Sequence, residues 1–251
     1  MKIKFHYTYV IIALGFILTG YFSNLLIFTS IIIIHEFGHF ITAKILNLNP
    51  ESIIIYPFGG ITKINSLVNT KIIKELALAI SGIITQTIYF ILIIILSSYH
   101  LIRPYIFNLF KDYYYHILLF NLLSIHPLDG SKIINLLLSK ILPYKLTQKL
   151  TIIISIITTI IILLLNYYEF NYTVILIITI IIDNTFKYYK NINYLFNKFL
   201  LERYLYKITF KKSKTISKID NMYKEKYHII KENNHYFTEK ELLKRRFKSF
   251  L

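Results

Sequence analysis

Apolar residues run through this chain in blocks long enough to cross a bilayer, separated by short polar or basic segments. One crossing takes about 20 predominantly apolar residues, and the blocks predict helices near residues 6–22, 25–47, 75–98, 113–125, 149–166 and 171–187. The fourth is short: it stops at Pro127-Leu128-Asp129-Gly130, and a second apolar segment, 131–142, resumes behind the break. A broken helix carrying a carboxylate at membrane depth is tolerated only where it lines a cavity within the protein. Between the second and third blocks, residues 51–64 form two β-prone runs around Pro57-Phe58-Gly59-Gly60, which predicts a hairpin.

Beyond Lys190 the texture changes to alternating charge with few long apolar runs. Here the pattern predicts a helix near 215–226, a strand at 227–231, a turn at Asn233-Asn234, a strand at 235–237 and a helix from 239. Thr238 with Glu241 three residues on is a capping-box signature for that last helix. The predicted fold is therefore an all-α polytopic membrane protein of about six transmembrane helices with a short re-entrant β-hairpin, plus a small cytoplasmic α+β tail. The predicted division is a membrane domain at 1–190 and a basic tail at 191–251, the tail being marginal in size for an independent fold.

Composition agrees with the pattern: 55% of the 251 residues are hydrophobic, more than a soluble fold of this length needs. Lys2 and Lys4 ahead of an apolar run resemble the start of a signal peptide, but no small-residue cleavage site follows, and the run reads as a retained first helix. The formal charge of +16 narrows the reading through its placement. From Lys187 onward 17 Lys and Arg face 6 Asp and Glu. With six crossings, 27 of the 29 basic residues fall on one side; only Arg103 and Lys111 lie opposite, and the loop at 166–171 has none. The positive-inside rule then makes this a multi-pass protein of the cell membrane with both termini cytoplasmic and membrane lipids as partners of the basic segments. No recognition motif accompanies the charge, so nucleic acid is not a predicted partner.

The chain has no Cys, so any metal must be held by His and carboxylate. His35-Glu36-Phe37-Gly38-His39 is an H-E-x-x-H on a predicted helix. Four residues apart, the two imidazoles project from one helix face and can converge on one zinc ion, while Glu36 can take a proton from water made acidic by the metal. Chance supplies this pattern about 0.01 times in a chain of this composition. A charged residue at the centre of a membrane helix costs about 2.5 to 3.5 kcal/mol on insertion scales, so a purely structural polar cluster is an expensive alternative.

A hydrolytic zinc site takes a third protein ligand and leaves one position open. Asp129 is the leading candidate because Pro127 stops the helix and Gly130 permits a tight turn; its competing reading is an Asp that caps the following helix. Asp183, at the end of the last span, suits capping better. His126 reads as structural or substrate-gating, since two His and one Asp complete the site, and His6, His100, His116, His228 and His235 lie at span ends or in the tail. The hairpin around Gly59 and Gly60 offers an edge onto which an extended peptide substrate could add as a strand, and equally fits an ordinary connection between helices.

These residues resemble the site-2 protease family, the M50 intramembrane zinc metalloproteases, and within it the stage IV sporulation protein FB group. H-E-F-G-H is similar to the family's zinc motif, and Asn121-Leu-Leu-Ser-Ile-His-Pro-Leu-Asp-Gly130 to its N-x-x-P-x-x-P-x-D-G signature. Glu75-Leu-Ala-Leu-Ala-Ile-Ser-Gly82 and the Gly-Gly loop fall in the family's order. The resemblance implies an intramembrane metalloendopeptidase with one Zn2+ on His35, His39 and Asp129, Glu36 as the catalytic residue, and Asn121 and Pro127 facing substrate. It implies a membrane-associated protein substrate, a transcription-factor precursor such as a sporulation sigma factor first, with an anti-sigma factor or a signal-peptide remnant as alternatives, and regulatory membrane proteins are further expected partners. Ser124 stands where the family often has Pro, Ser131-Lys132 replaces Gly-Arg, and Ile83 and Gln86 replace Pro and Asn. The tail is similar to about half of a CBS domain and lacks a clear nucleotide motif. A transporter or channel with a mid-membrane His/Glu/Asp site is the alternative from another class, though the chain shows no internal repeat. A catalytically dead scaffold has no need of Glu36.

Overall fold

The computed structural model describes every residue except Met1, Phe58, 166–171, Lys211, 233–234 and 249–251. The centre of the predicted hairpin turn, the loop before the last span and the Asn233-Asn234 turn lie outside the described residues. The chain is mostly helical, with two three-stranded sheets, and divides into two compact units: 1–66 with 77–122, and 67–76 with 123–251. Among the described residues three helices are long and apolar enough to cross a membrane: α2 (Phe22–Ile45), α3 (Ile72–Ser98) and α6 (Tyr144–Leu165).

In the first unit, β1 (Lys2–Phe5) leads into α1 (Tyr7–Leu18). The helix ends four residues before its predicted limit because Gly20 takes φ +80° and the Tyr21 amide donates to Phe16 O, closing a glycine C-cap. After α2 come β2 (Pro50–Tyr56) and β3 (Gly59–Ile64), antiparallel with Ile53 opposite Thr62 and Ile55 opposite Gly60. These are the strands predicted at 51–64, but they do not stand alone: β1 adds to β2 in parallel, with Lys2 opposite Ser52, the helices α1 and α2 serving as the crossover a parallel pair requires. The sheet order is β1-β2-β3, so β3 is an edge. Ile53 and Ile55, two apart on one face, are fully buried against Tyr9, Leu25, Ile32 and Phe40.

Aromatics join the helices of this unit. Phe90 of α3 stacks on Tyr114 of α4 (Pro104–Leu122) with centroids 4.0 Å apart, and both pack with Phe110 and Ile31. Helix α4 begins nine residues before its predicted start, with Pro104 at the first helical position, where its missing N–H costs nothing.

The second unit contains α5 (Asp129–Ser139), α6, α7 (Tyr172–Leu205), β4 (Ser213–Ile216), β5 (Tyr227–Glu232), β6 (His235–Thr238) and α8 (Glu239–Lys248). Helix α7 continues 18 residues past its predicted end at 187. No Pro or Gly interrupts it, and Phe196, Phe199 and Leu200, spaced on one face, are buried with Met222, Ile230 and Leu243. The helix predicted near 215–226 is absent. That segment is β4, which pairs in parallel with β5, followed by a single 3-10 turn at Ile219–Asn221; this places Ile216 and Met222 in the core, and the long-range pairing overrides local propensity. The strands at 227–231 and 235–237 and the final helix stand as predicted, with Glu241 Oε2 accepting from the Thr238 amide at 2.9 Å and the Glu241 amide reaching Thr238 Oγ1 at 3.3 Å.

A buried ion pair holds this unit together. Arg203 donates through Nη1 to both carboxylate oxygens of Glu239 at 3.0 and 3.1 Å, through Nη2 to Tyr223 O and Lys224 O at 2.7 Å each, and through Nε to Asn69 Oδ1 at 2.9 Å. His228 accepts the Tyr223 amide at Nε2 (3.0 Å), which leaves Nδ1–H to donate to Glu239 at 3.2 Å. Burial pushes the His228 pKa below its ordinary value of 6.5, so the His228–Glu239 contact is a hydrogen bond from a neutral ring and not an ion pair. Burial opposes ionisation of Glu239, but the His228 N–H and the Arg203 guanidinium outweigh it and hold the carboxyl below the usual carboxylate range.

Both groups bind a proton less readily folded than unfolded, so the unfolded chain holds more protons and stability rises with pH. The His228 contribution is complete above its ordinary value and declines as pH falls below it; the Glu239 contribution is lost as pH falls through the carboxylate range. The protection factors of β5 and α8 amides, exchange rates corrected for the intrinsic pH dependence of amide exchange, are therefore expected to fall on acidification from pH 7 to pH 5, and Glu239→Gln, which leaves Arg203 buried without its counter-charge, is expected to destabilise them by about 3 to 5 kcal/mol at pH 7. Protection independent of pH, or unchanged in the variant, would contradict this.

Candidate metal centre

On α2 the buried face is written by the helical period: Ile31, Ile32, His35, Glu36, Gly38, His39, Phe40 and Ala43. His35 is 3% exposed and Glu36 and His39 are 6% each. The donor atoms of His35, Glu36 and His39 all lie within 4.8 Å of one another, the one such group among the described residues.

The hydrogen bonds orient both rings. His39 Nδ1 lies 2.8 Å from the carbonyl oxygen of Leu78, which can only accept, so Nδ1 carries the proton. His35 Nδ1 lies 3.0 Å from Gln86 Oε1. The Gln86 amide nitrogen donates to Tyr114 O at 3.1 Å, which fixes Oε1 toward the imidazole and makes His35 Nδ1 a donor too. In neutral rings both Nε2 atoms then bear lone pairs, and they face each other at 3.2 Å. At that separation the two nitrogens can converge on one cation.

Glycine permits the approach of the surrounding backbone. A Cβ on Gly82 of α3 would overlap Nε2 of both His35 and His39, and a Cβ on Gly60 of β3 would overlap the Glu36 side chain. Thr62, two residues along β3 and on the same face as Gly60, places its hydroxyl 2.7 Å from Glu36 Oε2 and 3.1 Å from the Glu36 carbonyl oxygen. The edge strand thus holds one carboxylate oxygen in place. Two imidazole nitrogens and a carboxylate, with no thiolate in the chain, are the donor set that suits zinc.

Comparison with known proteins agrees with this geometry. The family model for peptidase family M50 matches residues 23–116, which span the motif helix and the two helices packed on it. The stage IV sporulation protein FB of Bacillus subtilis is 31% identical over 209 residues, covering 81% of this chain and 72% of its relative. The chain belongs to peptidase family M50. A zinc metalloprotease of Methanocaldococcus jannaschii is 26% identical over 164 residues, 60% of this chain and 46% of the relative. The solved structure of a site-2 protease from Methanocaldococcus jannaschii shares the fold, with a TM-score of 0.58 at 23% identity over 74% of this chain and 89% of that one. As an M50 peptidase the chain is a membrane metalloendopeptidase.

Other predicted site residues are placed as follows. Asp129, in the second unit, is buried at the first helical position of α5; Leu128 occupies the N-cap, and the Asp129 carboxylate accepts from Lys132 Nζ at 2.8 Å. Pro127 is exposed just before it, and Ser155 of α6 fixes the break, its hydroxyl oxygen accepting from the His126 amide at 3.1 Å. His126 stacks on Tyr188 with centroids 4.0 Å apart. Asn121 is half-buried near the end of α4, and Gly59 and Gly60 begin β3. Sequence reasoning gave no role to Thr62, Leu78 or Gln86. A signal was present for the α3 residues: Ser81, Gly82, Thr85 and Gln86 make one small and polar face on an otherwise apolar helix. In this M50 peptidase, Gly82→Ala is expected to cut peptidase activity at least tenfold with helical content unchanged by circular dichroism; full activity would mean that the two Nε2 atoms need not converge.

Proposed function

We propose that the chain is a zinc-dependent intramembrane endopeptidase in which one Zn2+ is held by His35, His39 and Asp129. The convergence of the two Nε2 atoms beside a buried Glu36 carries this reading. The third ligand rests on the chain break: Asp129 is the buried carboxylate that a Pro, a Gly and a new helix start present. When bound, zinc supplies a Lewis acid that polarises the scissile carbonyl and lowers the pKa of water.

The protein's own residues do the remaining work. Thr62 restrains Glu36 Oε2, so Oε1 receives the proton that water loses as its oxygen bonds the scissile carbon. Glu36 then delivers that proton to the amide nitrogen as the carbon–nitrogen bond breaks. A helical substrate must first unwind, and pairing with the open edge of β3, beginning at Gly59 and Gly60, holds it extended beside Glu36. Asn121 and Pro127 face the substrate.

The substrate is a membrane-associated protein, with a sporulation sigma-factor precursor favoured by the 31% identity to stage IV sporulation protein FB. The protein is multi-pass in the cell membrane with both termini cytoplasmic, a membrane domain at 1–190 and a basic tail at 191–251 that contacts anionic lipid and regulatory membrane proteins. Purified Glu36→Gln should retain stoichiometric zinc while cleaving a candidate precursor about 10² to 10⁴ times more slowly than wild type. Wild-type protein without metal, or a variant that cleaves normally, would defeat the reading, and transport activity intact in the variant would favour a transporter.

A further inference from the structure

We infer that Gln86 is a positioning residue for the metal centre: its amide, clamped between α4 and α2, selects the His35 tautomer whose Nε2 is available to a divalent cation. This rests on the proposed zinc site but concerns a residue outside its ligands.

The argument follows from what each neighbour can do. Tyr114 O is an acceptor only, so it takes the Gln86 Nε2–H at 3.1 Å and removes the ambiguity of the amide's orientation. Oε1 then faces His35 Nδ1 at 3.0 Å and accepts its proton. Gln86 has no exposed surface, so no water competes for either bond. One side chain from α3 therefore ties α2 to α4 and dictates which imidazole nitrogen carries the proton. His39 has a shorter partner in the backbone, the carbonyl of Leu78 at 2.8 Å from its Nδ1, with Ser81 Oγ at 3.3 Å beside it. The shortest Nδ1 contact is thus to backbone for His39 and to a side chain for His35, and the latter can be removed by mutation without moving the helix.

Replacing Gln86 by Met keeps its length and apolar volume but removes the acceptor. His35 would then divide between two tautomers, and the ring would lose its rotational restraint. Loss of such a partner typically costs 10- to 100-fold in metal affinity. Gln86→Glu in its neutral form keeps an acceptor oxygen for Nδ1 and an O–H donor for Tyr114 O, and serves as the conservative rescue.

The test uses the full-length protein in detergent. Zinc affinity is measured by chelator competition, and the His35 tautomer by nitrogen-15 chemical shifts of the metal-free chain, assigned with His35→Gln. The expected result is a Gln86→Met protein that binds zinc 10- to 100-fold more weakly and has lost the pure Nδ1–H form, with Gln86→Glu within threefold of wild type and retaining that form. A Gln86→Met protein within threefold of wild-type affinity with an unchanged tautomer overturns the inference. Should Gln86→Met fail to fold, Gln86→Leu takes its place, and a Gln86→Leu protein that keeps the pure Nδ1–H form of His35 and binds zinc within threefold of wild type overturns the inference, while loss of that form with weaker zinc binding supports it. Wild-type protein that binds no zinc defeats the metal reading instead, and the tautomer measurement then still decides the role of Gln86.

Discussion

Two imidazole nitrogens held 3.2 Å apart inside a bundle of apolar helices set the terms for the rest of this protein. Histidine on a membrane helix is expensive unless it is fully hydrogen-bonded or binds something, and here each ring uses Nδ1 within the fold and turns Nε2 to the other. The helix period brings them to one face, but it does not choose the tautomer or the ring angle. Those are imposed from α3, by Leu78 O and Gln86, while Gly82 lets the same helix come close enough to do it.

The neighbouring elements read as consequences of that arrangement. Glu36 cannot turn away from the pair because Thr62 holds its carboxylate and Gly60 brings the β3 backbone against its side chain. The three-stranded sheet has its apolar face buried through Ile53 and Ile55, so the position of β3 is fixed by packing as well as by hydrogen bonding. In the second unit the start of α3 is itself anchored. Glu202 accepts the amides of Val68 and Asn69 at 3.0 Å each, Glu225 accepts the amide of Ile72 at 2.7 Å, and Lys224 pairs with Glu75 at 2.5 Å. Placing acidic groups where the first amides of a helix point is favourable for both hydrogen bonding and the helix dipole.

Much of the site was legible in the sequence because its logic is periodic or local. His35 and His39 are one helical turn apart, Pro127 and Gly130 mark the break around Asp129, the β-prone runs at 51–64 flank a glycine pair, and Thr238 with Glu241 announces α8. What escaped depends on partners distant in sequence. Four residues at the N-terminus read only as a basic flank until β2 pairs with them in parallel. The segment 215–226 has helical propensity, yet β5 and the core claim Ile216 and Met222. Helix α7 looked finished where its apolar block ends, since the pattern for burial in a soluble core begins there. Gln86 stood out only as a departure from the family's usual Asn; its role becomes visible when Tyr114 O on one side and His35 on the other define the two ends of its amide.

The measurement that reaches the central claim most directly is X-ray absorption at the zinc edge on the purified full-length protein. The account predicts two imidazole nitrogens at about 2.0 to 2.1 Å and oxygen ligands at about 2.0 to 2.2 Å, with an outer-shell scattering pattern that requires exactly two histidines. A third imidazole, or zinc coordinated only by oxygen, would contradict it.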